Sequence, residues 1–156
     1  MSGTRLLAGR RALVTGAANG IGLAITRTFV AEGATVAAVD REPTPENLGE
    51  FVHSIEWDLS DTRGIDDLVR SAEQAVGPID VLVNCAGIFE QMPAIEVDLD
   101  SYRRVLAVNL DAPVFLTSRV AVGMCSRGYG RVVNVSSIQG RLAEELAMSY
   151  DVAKGG

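Results

Sequence analysis

The sequence predicts a three-layer α/β fold built on a parallel sheet. Short apolar runs that suit buried strands alternate with segments whose apolar residues recur at helical spacing, an order typical of βαβ units with right-handed crossovers. Apolar residues make up 47% of the sequence and aromatic residues only 5%, which fits strands buried on both faces. The 156 residues suffice for one core, so we expect a single domain over residues 1–156.

The first half of the chain holds three predicted strands and two helices. Ile21 and Ile25 lie at helical spacing after the apolar run Ala12–Val14. Gly33 ends the first helix, and Gly77-Pro78 breaks the second. The predicted elements are strands over about Arg11–Val14, Thr35–Val39 and Ser54–Trp57, a helix over Gly20–Glu32, and a helix from a cap at Ser60 or Asp61 to Val76.

The second half continues the alternation with two strands and two helices. The fourth strand is almost wholly apolar, and Pro113 predicts a kink in the long helix after it, because proline removes a helix hydrogen bond. The predicted elements are strands over Ile79–Val83 and Arg131–Val135, a helix over Leu99–Ser126 capped near Asp98 or Asp100, and a helix from about Ser149.

Composition disfavours several partners and locations. The net charge of −6 disfavours nucleic acid and anionic membranes, and no window of eighteen consecutive apolar residues predicts a membrane span. Cys85 and Cys125 make no disulfide framework, and the N-terminal segment is too short and too interrupted for a signal peptide. These two observations favour a cytoplasmic, reducing location. His53 has no partners at metal-ligand spacing, so we expect no metal site.

The glycine-rich stretch Thr15–Gly22 is the principal candidate for a binding site. It joins a predicted strand to a helix, so Gly16 can form a tight turn while Gly20 and Gly22 keep side chains away from a pyrophosphate at the helix N-terminus. A glycine-rich loop without a ligand is the alternative. Asp40, at the end of the next strand, lies at the distance along the chain expected of a ribose-binding carboxylate.

Polar residues follow the predicted strands at their carboxyl ends, where ligands bind in open parallel sheets. This coincidence indicates a nucleotide site. The residues are Gly16, Asp40, Asp58, Asn84, Ser136 and Ser137.

Tyr150 and Lys154 lie four residues apart on a predicted helix, so their side chains share a face. A phenol has a pKa of about 10 and is a poor base at neutral pH. An ammonium about one helical turn away favours the ionised phenol. The pair can therefore transfer a proton, although an isolated pair is more often an ordinary surface tyrosine and lysine.

Taken together, these motifs resemble those of the short-chain dehydrogenase/reductase family in its single-domain form, over essentially the whole chain. Cys85 departs from the family pattern by replacing the second asparagine of Asn-Asn-Ala-Gly. The motifs are the cofactor loop at Thr15–Gly22, the adenine-contacting pair Asp58-Leu59, Asn84–Gly87, the helix asparagine Asn109, the serine Ser137, and Tyr150-x-x-x-Lys154.

The resemblance implies a role for each catalytic residue. Tyr150 is the expected general acid/base and Lys154 its activator and ribose ligand. Ser137 would hydrogen-bond the substrate oxygen, and Asn109 would hold a water that links Lys154 to solvent. The expected cofactor-binding residues are Gly16, Asn19, Gly20, Ile21, Gly22, Asp40, Arg41, Asp58, Leu59, Asn84, Ala86, Gly87, Tyr150 and Lys154.

Asp40 favours NAD over NADP, because a carboxylate accepts hydrogen bonds from a ribose 2′-hydroxyl and repels a 2′-phosphate. The glycine loop also contains no lysine or arginine between Gly16 and Gly20. Arg41 is the contrary sign, since it could turn toward a phosphate.

Family members continue beyond the position of Gly156, so the resemblance implies a Rossmann-like doubly wound sheet that lacks the C-terminal strands. We expect five strands in the order 3-2-1-4-5, with the fifth as an exposed edge. The expected function is NAD-dependent interconversion of a small-molecule secondary alcohol and a ketone, by a homo-oligomer (dimer or tetramer) in the full-length form. The alternatives are an NADP-dependent reductase of the 3-oxoacyl type and a non-catalytic, truncated nucleotide-binding fragment.

Overall fold

The computed structural model describes residues 5–156 and contains the predicted parallel sheet. Its five strands are hydrogen-bonded in the order β3-β2-β1-β4-β5, which confirms the predicted order. All four pairings are parallel, so the carboxyl ends of the strands meet at one edge of the sheet. The strands are β1 Arg11–Thr15, β2 Thr35–Asp40, β3 Val52–Glu56, β4 Val81–Asn84 and β5 Arg131–Asn134.

Helices cover both faces of this sheet, and short 3₁₀ turns interrupt the loops. A π-helical turn, Ala107–Asp111, joins α3 to α4 in one continuous helix. The helices are α1 Gly20–Ala31, α2 Ile65–Val76, α3 Leu99–Leu106, α4 Ala112–Arg127 and α5 Met148–Gly155. The 3₁₀ turns are Glu46–Leu48, Thr62–Gly64, Ala94–Glu96 and Ile138–Gly140.

The core has two layers because successive side chains of a strand point to opposite faces. Ala12 and Val14 of β1 face the layer that contains α1, whereas Leu13 faces the layer that contains α2 and α4. All three are fully buried. β1 is therefore the central strand about which the fold is built, as its uninterrupted apolar run predicts.

Three predicted starts were wrong. β3 begins at Val52 rather than Ser54. α2 begins at Ile65 with no side-chain cap, because the turn Thr62–Gly64 separates it from Ser60 and Asp61. β4 begins at Val81 rather than Ile79, because Asp80 lies before the strand.

The Asp80 carboxylate instead joins β1 to the start of β4. It accepts hydrogen bonds from Arg11 Nε at 2.9 Å and from the Arg11 amide at 3.1 Å. Burial alone would raise the pKa of Asp80, but the bonds from Arg11 outweigh it and hold that pKa below its ordinary value.

The predicted kink takes the form of the π-helical turn. Pro113 has no N–H to donate to the carbonyl of Asn109, four residues earlier. The amide of Ala112 bonds instead to the carbonyl of Ala107, five residues back. The helix is therefore locally wider around Asn109.

The continuous helix Leu99–Arg127 is long and apolar enough to cross a membrane, with a mean hydropathy of 1.4, but core helices pass the same test. Leu116, Val120 and Met124 are buried at successive turns and pack against the sheet. This row identifies α4 as a helix of the core. Within residues 5–156 it is the one helix of that length and hydropathy.

Candidate functional site

The glycine-rich loop lies across the carboxyl end of β1 and packs against the segment that follows β4. Gly16 has φ +70°, and a Cβ there would approach the Cα and N of Ala86 to 2.9 Å. Thr15 Oγ1 accepts hydrogen bonds from the amides of Cys85 (3.0 Å) and Ala86 (3.1 Å). A side chain at position 16 would therefore push apart two segments that Thr15 holds together.

The N-terminus of α1 presents its amides to this cleft. Asn19 is the N-cap residue in extended conformation, and no side chain caps the helix. Gly20 has φ +52° and has open space where a Cβ would point. Uncapped amides and the helix dipole make this end suited to an anion such as a pyrophosphate.

Asp40 ends β2 beside the glycine loop. Its Oδ2 accepts a hydrogen bond from the Ala18 amide at 3.0 Å, and its Oδ1 accepts one from the Glu42 amide at 3.1 Å. These two amides fix the orientation of the carboxylate. Arg41 is exposed, and its guanidinium lies 3.8 Å from the Glu42 carboxylate.

Asp58 follows β3 on the same edge. The Ser60 amide donates to its carboxylate at 2.9 Å, and this bond, with the Ser60 hydroxyl, lowers the pKa of Asp58 from its ordinary value. Arg104 and Arg41 lower that pKa further by their positive charge. The carboxylate is therefore ionised at neutral pH and can accept hydrogen bonds from a ligand.

These elements enclose a cleft of about 300 Å³ at the carboxyl edge of the sheet. It brings together most of the predicted cofactor-binding residues. Those lining it are Gly16, Asn19, Ile21, Gly22, Asp40, Arg41, Asp58, Leu59, Ala86 and Gly87.

Several predicted residues lie outside this lining, and several lining residues were not predicted. Gly20, Asn84, Tyr150 and Lys154 are not part of it, whereas Cys85, Ile88, Arg104 and Val108 are. Arg104 and Val108 are four residues apart on one helix face, and Val108 adjoins Asn109. That spacing is the signal that could have identified them.

Asn84 points away from the cleft. Its side-chain amide donates to Asn134 Oδ1 at 2.8 Å and to Thr117 Oγ1 at 3.2 Å. Asn84 is buried, and its contacts join β4 to β5 and α4.

Asn109 is buried in the π-helical turn and is bonded to the backbone after β4. Its Oδ1 accepts from the amide of Ile88, and its Nδ2 donates to the carbonyl of Ile88, each at 2.8 Å. A Cβ on Gly87 would lie 3.4 Å from Asn109 Oδ1 and 4.0 Å from Lys154 Nζ. The helix asparagine and the lysine thus flank Gly87, at the end of the cleft.

Lys154 and Tyr150 project from α5 on one side. Lys154 Nζ donates to the carbonyl of Val135 at 3.0 Å and lies 5.6 Å from the centre of the Tyr150 ring. Burial lowers the pKa of Lys154 from its ordinary value, and the charge that Cys85 carries when it is ionised partly opposes this. Conversely, burial raises the pKa of Cys85, and the charge of Lys154 partly offsets the rise.

The Tyr150 hydroxyl makes no hydrogen bond with any residue that the structure describes, whereas the ring packs edge-on against Phe89 at 5.1 Å. Ser137 caps the turn Ile138–Gly140, and its Oγ accepts from the Gln139 amide at 3.2 Å. The phenol is therefore held by its ring with its oxygen available to a ligand.

Over residues 5–156, no three His, Cys, Asp or Glu side chains are grouped so that they could hold a metal ion. The site combines an uncapped helix end, an oriented carboxylate at Asp40, and the phenol and ammonium of Tyr150 and Lys154.

Comparison with known proteins identifies the family and agrees with the fold. A family model described as short chain dehydrogenase matches residues 10–156. Galactitol 2-dehydrogenase of Agrobacterium fabrum is 36% identical over 149 residues, which cover 92% of this chain and 58% of that relative.

Two solved structures share the fold. A protein proposed to be an NAD(P)-dependent gluconate 5-dehydrogenase, from Beutenbergia cavernae with NADP bound at low occupancy, gives a TM-score of 0.89 at 35% identity, covering 98% of this chain and 64% of its own. A 4-hydroxyisoleucine dehydrogenase complexed with NADH gives 0.86 at 30% identity, covering 94% and 63%. The chain thus spans about three fifths of the length of these proteins.

Proposed function

Because this chain belongs to the short-chain dehydrogenase family, we propose that the whole protein interconverts a secondary alcohol and a ketone with NAD. One observation carries the proposal: the cleft that begins at the uncapped end of α1 finishes at Gly87, which lies beside both Asn109 and Lys154. The amides of α1 would hold the pyrophosphate of a dinucleotide, and the cleft leads from there to Gly87, beside Lys154.

The glycine loop and Asp40 fit a dinucleotide. Gly16 lets the loop pack against the Ala86 backbone, Gly20 leaves open space where a Cβ would point, and no side chain caps α1. When bound, the nicotinamide supplies or accepts the hydride.

We assign the four catalytic roles to this chain's own residues as follows. Tyr150 gives or takes the proton at the substrate oxygen, for which its hydroxyl is available. Lys154 favours the ionised phenol by its charge and holds the nicotinamide ribose. Ser137 hydrogen-bonds the substrate oxygen, and Asn109 orders a water that connects Lys154 with solvent.

The cofactor preference rests on Asp40 and Arg41. The two amides that hold Asp40 orient its carboxylate beside the loop, which supports recognition of a ribose 2′-hydroxyl and repulsion of a 2′-phosphate. Exposed Arg41 and the NADP in one similar structure favour the second candidate, an NADP-dependent carbonyl reductase. We prefer NAD because the Arg41 guanidinium lies near Glu42.

Two of the similar proteins are named for galactitol and gluconate, a neutral polyol and a sugar acid. Their names support a small substrate that carries several hydroxyl groups.

We also propose a cytoplasmic homo-oligomer. The exposed apolar residues Val114, Phe115 and Val122 of α4 support self-association, and the free thiols of Cys85 and Cys125 support a reducing compartment.

The test is turnover of secondary alcohols by the whole protein with NAD and with NADP, in wild type and in Tyr150→Phe. We expect faster turnover with NAD, and a loss of about 10²- to 10⁴-fold in kcat for Tyr150→Phe, because the variant lacks the proton-transferring oxygen. Dinucleotide binding should be retained, since the glycine loop, Asp40 and Lys154 are unchanged.

Tyr102→Phe is the matched control, because Tyr102 lies on α3 and lines no part of the cleft. Equal activity of Tyr150→Phe and wild type would refute the assigned mechanism. Dinucleotide binding without turnover of any alcohol would instead favour a non-catalytic nucleotide-binding protein.

A further inference from the structure

The Tyr150 ring takes part in the one contact between two aromatic rings in the part of the chain that the structure describes. It meets the Phe89 ring edge-on, with the ring centres 5.1 Å apart and the ring planes at 86°. Contact of this kind is favourable, because the positive edge of one ring meets the negative face of the other. The side chain that transfers the proton in the proposed mechanism is therefore packed against the loop that follows β4.

The residue before Phe89 is anchored to the long helix Leu99–Arg127. The Asn109 side chain bonds to both the amide and the carbonyl of Ile88, each at 2.8 Å. Two bonds from one side chain fix both the position and the direction of the backbone at that residue. Because Asn109 is buried in the π-helical turn, the core helix determines where the chain enters Phe89.

The residue after Phe89 is anchored to the same helix nearer to its N-terminus. The Glu90 carboxylate accepts a hydrogen bond from the Ser101 hydroxyl and lies 3.9 Å from the Arg104 guanidinium. Ser101 and Arg104 are both residues of α3. Phe89 is thus held at both of its neighbours, and its backbone has less freedom than that of an ordinary loop residue.

Burial does not explain where the Phe89 ring lies. The residue is 45% exposed and belongs to neither layer of the core. Phe51, which is 50% exposed and immediately precedes β3, contacts no second aromatic ring among residues 5–156. A half-exposed ring that is anchored on both sides and packed against the phenol is better explained by its effect on Tyr150 than by hydrophobic stabilisation.

Resting on the proposed function, in which Tyr150 transfers the proton, we infer that Phe89 is a positioning residue for that step. Its ring restricts rotation of the phenol about the side-chain bonds, so that the phenol oxygen keeps one position relative to Lys154. Asn109 contributes through the same contact, because its bonds to Ile88 determine where the Phe89 ring lies. Displacement of a reacting group by about 1 Å can lower a rate by about 10²-fold, so loss of the restriction is measurable.

The experiment compares Phe89→Leu with Phe89→Tyr in the whole protein, using a secondary alcohol that wild type oxidises. Leucine keeps the apolar bulk without the ring, whereas tyrosine keeps the ring and can direct its hydroxyl to solvent. The rate of a single turnover is followed by the absorbance of the reduced dinucleotide, so that product release does not limit it.

Phe89→Leu should lower the single-turnover rate at saturating alcohol by about 10- to 50-fold, because the phenol is no longer held. The alcohol concentration that gives half of this rate should stay within about threefold of the wild-type value, since binding of the substrate is unaltered. Phe89→Tyr should restore the rate to within about threefold of wild type, because the ring contact is retained.

Phe51→Leu is the matched control, because it makes the same change at a similarly exposed residue that contacts no other aromatic ring, and its rate should stay within about twofold. Glu90→Ala is the second variant. It removes both anchors on one side of Phe89 without altering a ring, and should lower the rate by about 3- to 10-fold. Circular dichroism and dinucleotide affinity establish that each variant is folded.

Three results would overturn the inference. The first is a wild-type rate in both Phe89→Leu and Glu90→Ala. The second is a change confined to the half-saturating alcohol concentration, which would mean that Phe89 contacts the substrate instead. The third is an equal loss of rate in Phe89→Tyr and Phe89→Leu, which would mean that the ring contact is not what matters.

Each of these results leaves the proposed function standing, provided that Tyr150→Phe loses activity as expected. If wild type turned over no alcohol with either cofactor, the proposed function would fail and the inference with it.

Discussion

The site has a cofactor half, which contains the glycine loop and Asp40, and a catalytic half, which contains Ser137, Tyr150 and Lys154. The two halves differ in how the rest of the structure supports them. The glycine loop and Asp40 extend from β1 and β2, whose interior residues are fully buried on both faces of the sheet. Ser137 follows β5, whose four residues are all exposed, and Tyr150 and Lys154 lie on α5. Within residues 5–156, the first half is shaped by the core, and the second is held by a few specific contacts.

The difference corresponds to the groups that each half uses at this edge of the sheet: main-chain groups in the cofactor half and side chains in the catalytic half. Phosphate recognition uses main-chain amides, whose positions follow from the packing of buried strands and glycines. Proton transfer uses side chains, and here their positions depend on single bonds such as Lys154 to Val135 and Asn109 to Ile88. We therefore expect substitutions to affect stability most in the cofactor half.

Gly16→Ala should have the largest effect on stability. The added Cβ meets the Ala86 backbone at 2.9 Å, and φ +70° is strained for alanine, so we expect a loss of about 3 kcal/mol and of dinucleotide binding. Gly128→Ala is the control, because Gly128 has φ +67° but nothing within 4 Å of its Cβ position. Urea unfolding of both variants measures the difference. Equal losses would mean that backbone strain alone, and not the close approach to Ala86, requires glycine.

Val83→Ala and Val133→Ala compare the two halves at one rung of the sheet. These residues are paired in register on β4 and β5, yet Val83 is fully buried and Val133 is 47% exposed. We expect a loss of about 2 kcal/mol for Val83→Ala and about 0.5 kcal/mol or less for Val133→Ala, because only the first leaves a cavity. Thermal or urea unfolding of both variants measures the two losses of stability. Equal losses in the whole protein would show that another segment covers β5 there.

The smallest expected effect is the contribution of Lys154 to the pH dependence of stability. Burial lowers its pKa below the ordinary 10.5, so the folded state binds this proton less tightly than the unfolded state. Stability should therefore rise with pH between the folded pKa and 10.5, and Lys154→Met should lack that rise.

Cys85 produces the opposite slope, because burial raises its pKa above 9.0 and the unfolded state ionises first. The comparison is therefore made in a Cys85→Ala background, by urea unfolding across the alkaline range. The free energy of unfolding could change with pH in the same way in the protein that retains Lys154 and in its Lys154→Met variant. That result would mean that the lysine is solvated in the folded state.

Much of the fold could be predicted from local pattern. β1 and β2 differ from their predicted ranges by one residue at the carboxyl end, because uninterrupted apolar runs mark strands buried on both faces. The start of the long helix was predicted at its cap, where Asp98 accepts hydrogen bonds from the amides of Asp100 and Ser101. Signals of this kind depend only on neighbours in the chain.

Boundaries set by tertiary contacts were not predictable. The turn Thr62–Gly64 precedes α2 and packs against Trp57, whose ring lies 2.7 Å from the position that a Cβ on Gly64 would take. Similarly, β4 begins later than its apolar run suggests, because Asp80 bonds with Arg11 across the sheet. Neither partner is a neighbour in the chain.

The same distinction applies to the candidate site. The glycine loop and Asp40 could be predicted to share a cleft, because both follow strand ends of one parallel sheet. The Asn84 side chain points away from the cleft, toward Asn134 and Thr117. This direction depends on side-chain contacts between three elements. The contact of Phe89 with Tyr150 likewise depends on how the loop after β4 packs against α5.

The π-helical turn at Ala107–Asp111 places an extra residue in the long helix without turning α4 away from the sheet. A regular helix advances about 100° per residue, and the wider turn accommodates one residue more than an α-helical turn does. Deleting a single residue there would restore a regular α-helical turn, so Leu116, Val120 and Met124 would keep their places in the core. Asn109, however, would lose the widened turn in which it bonds to Ile88. A one-residue deletion at this turn should therefore alter the candidate site far more than the fold.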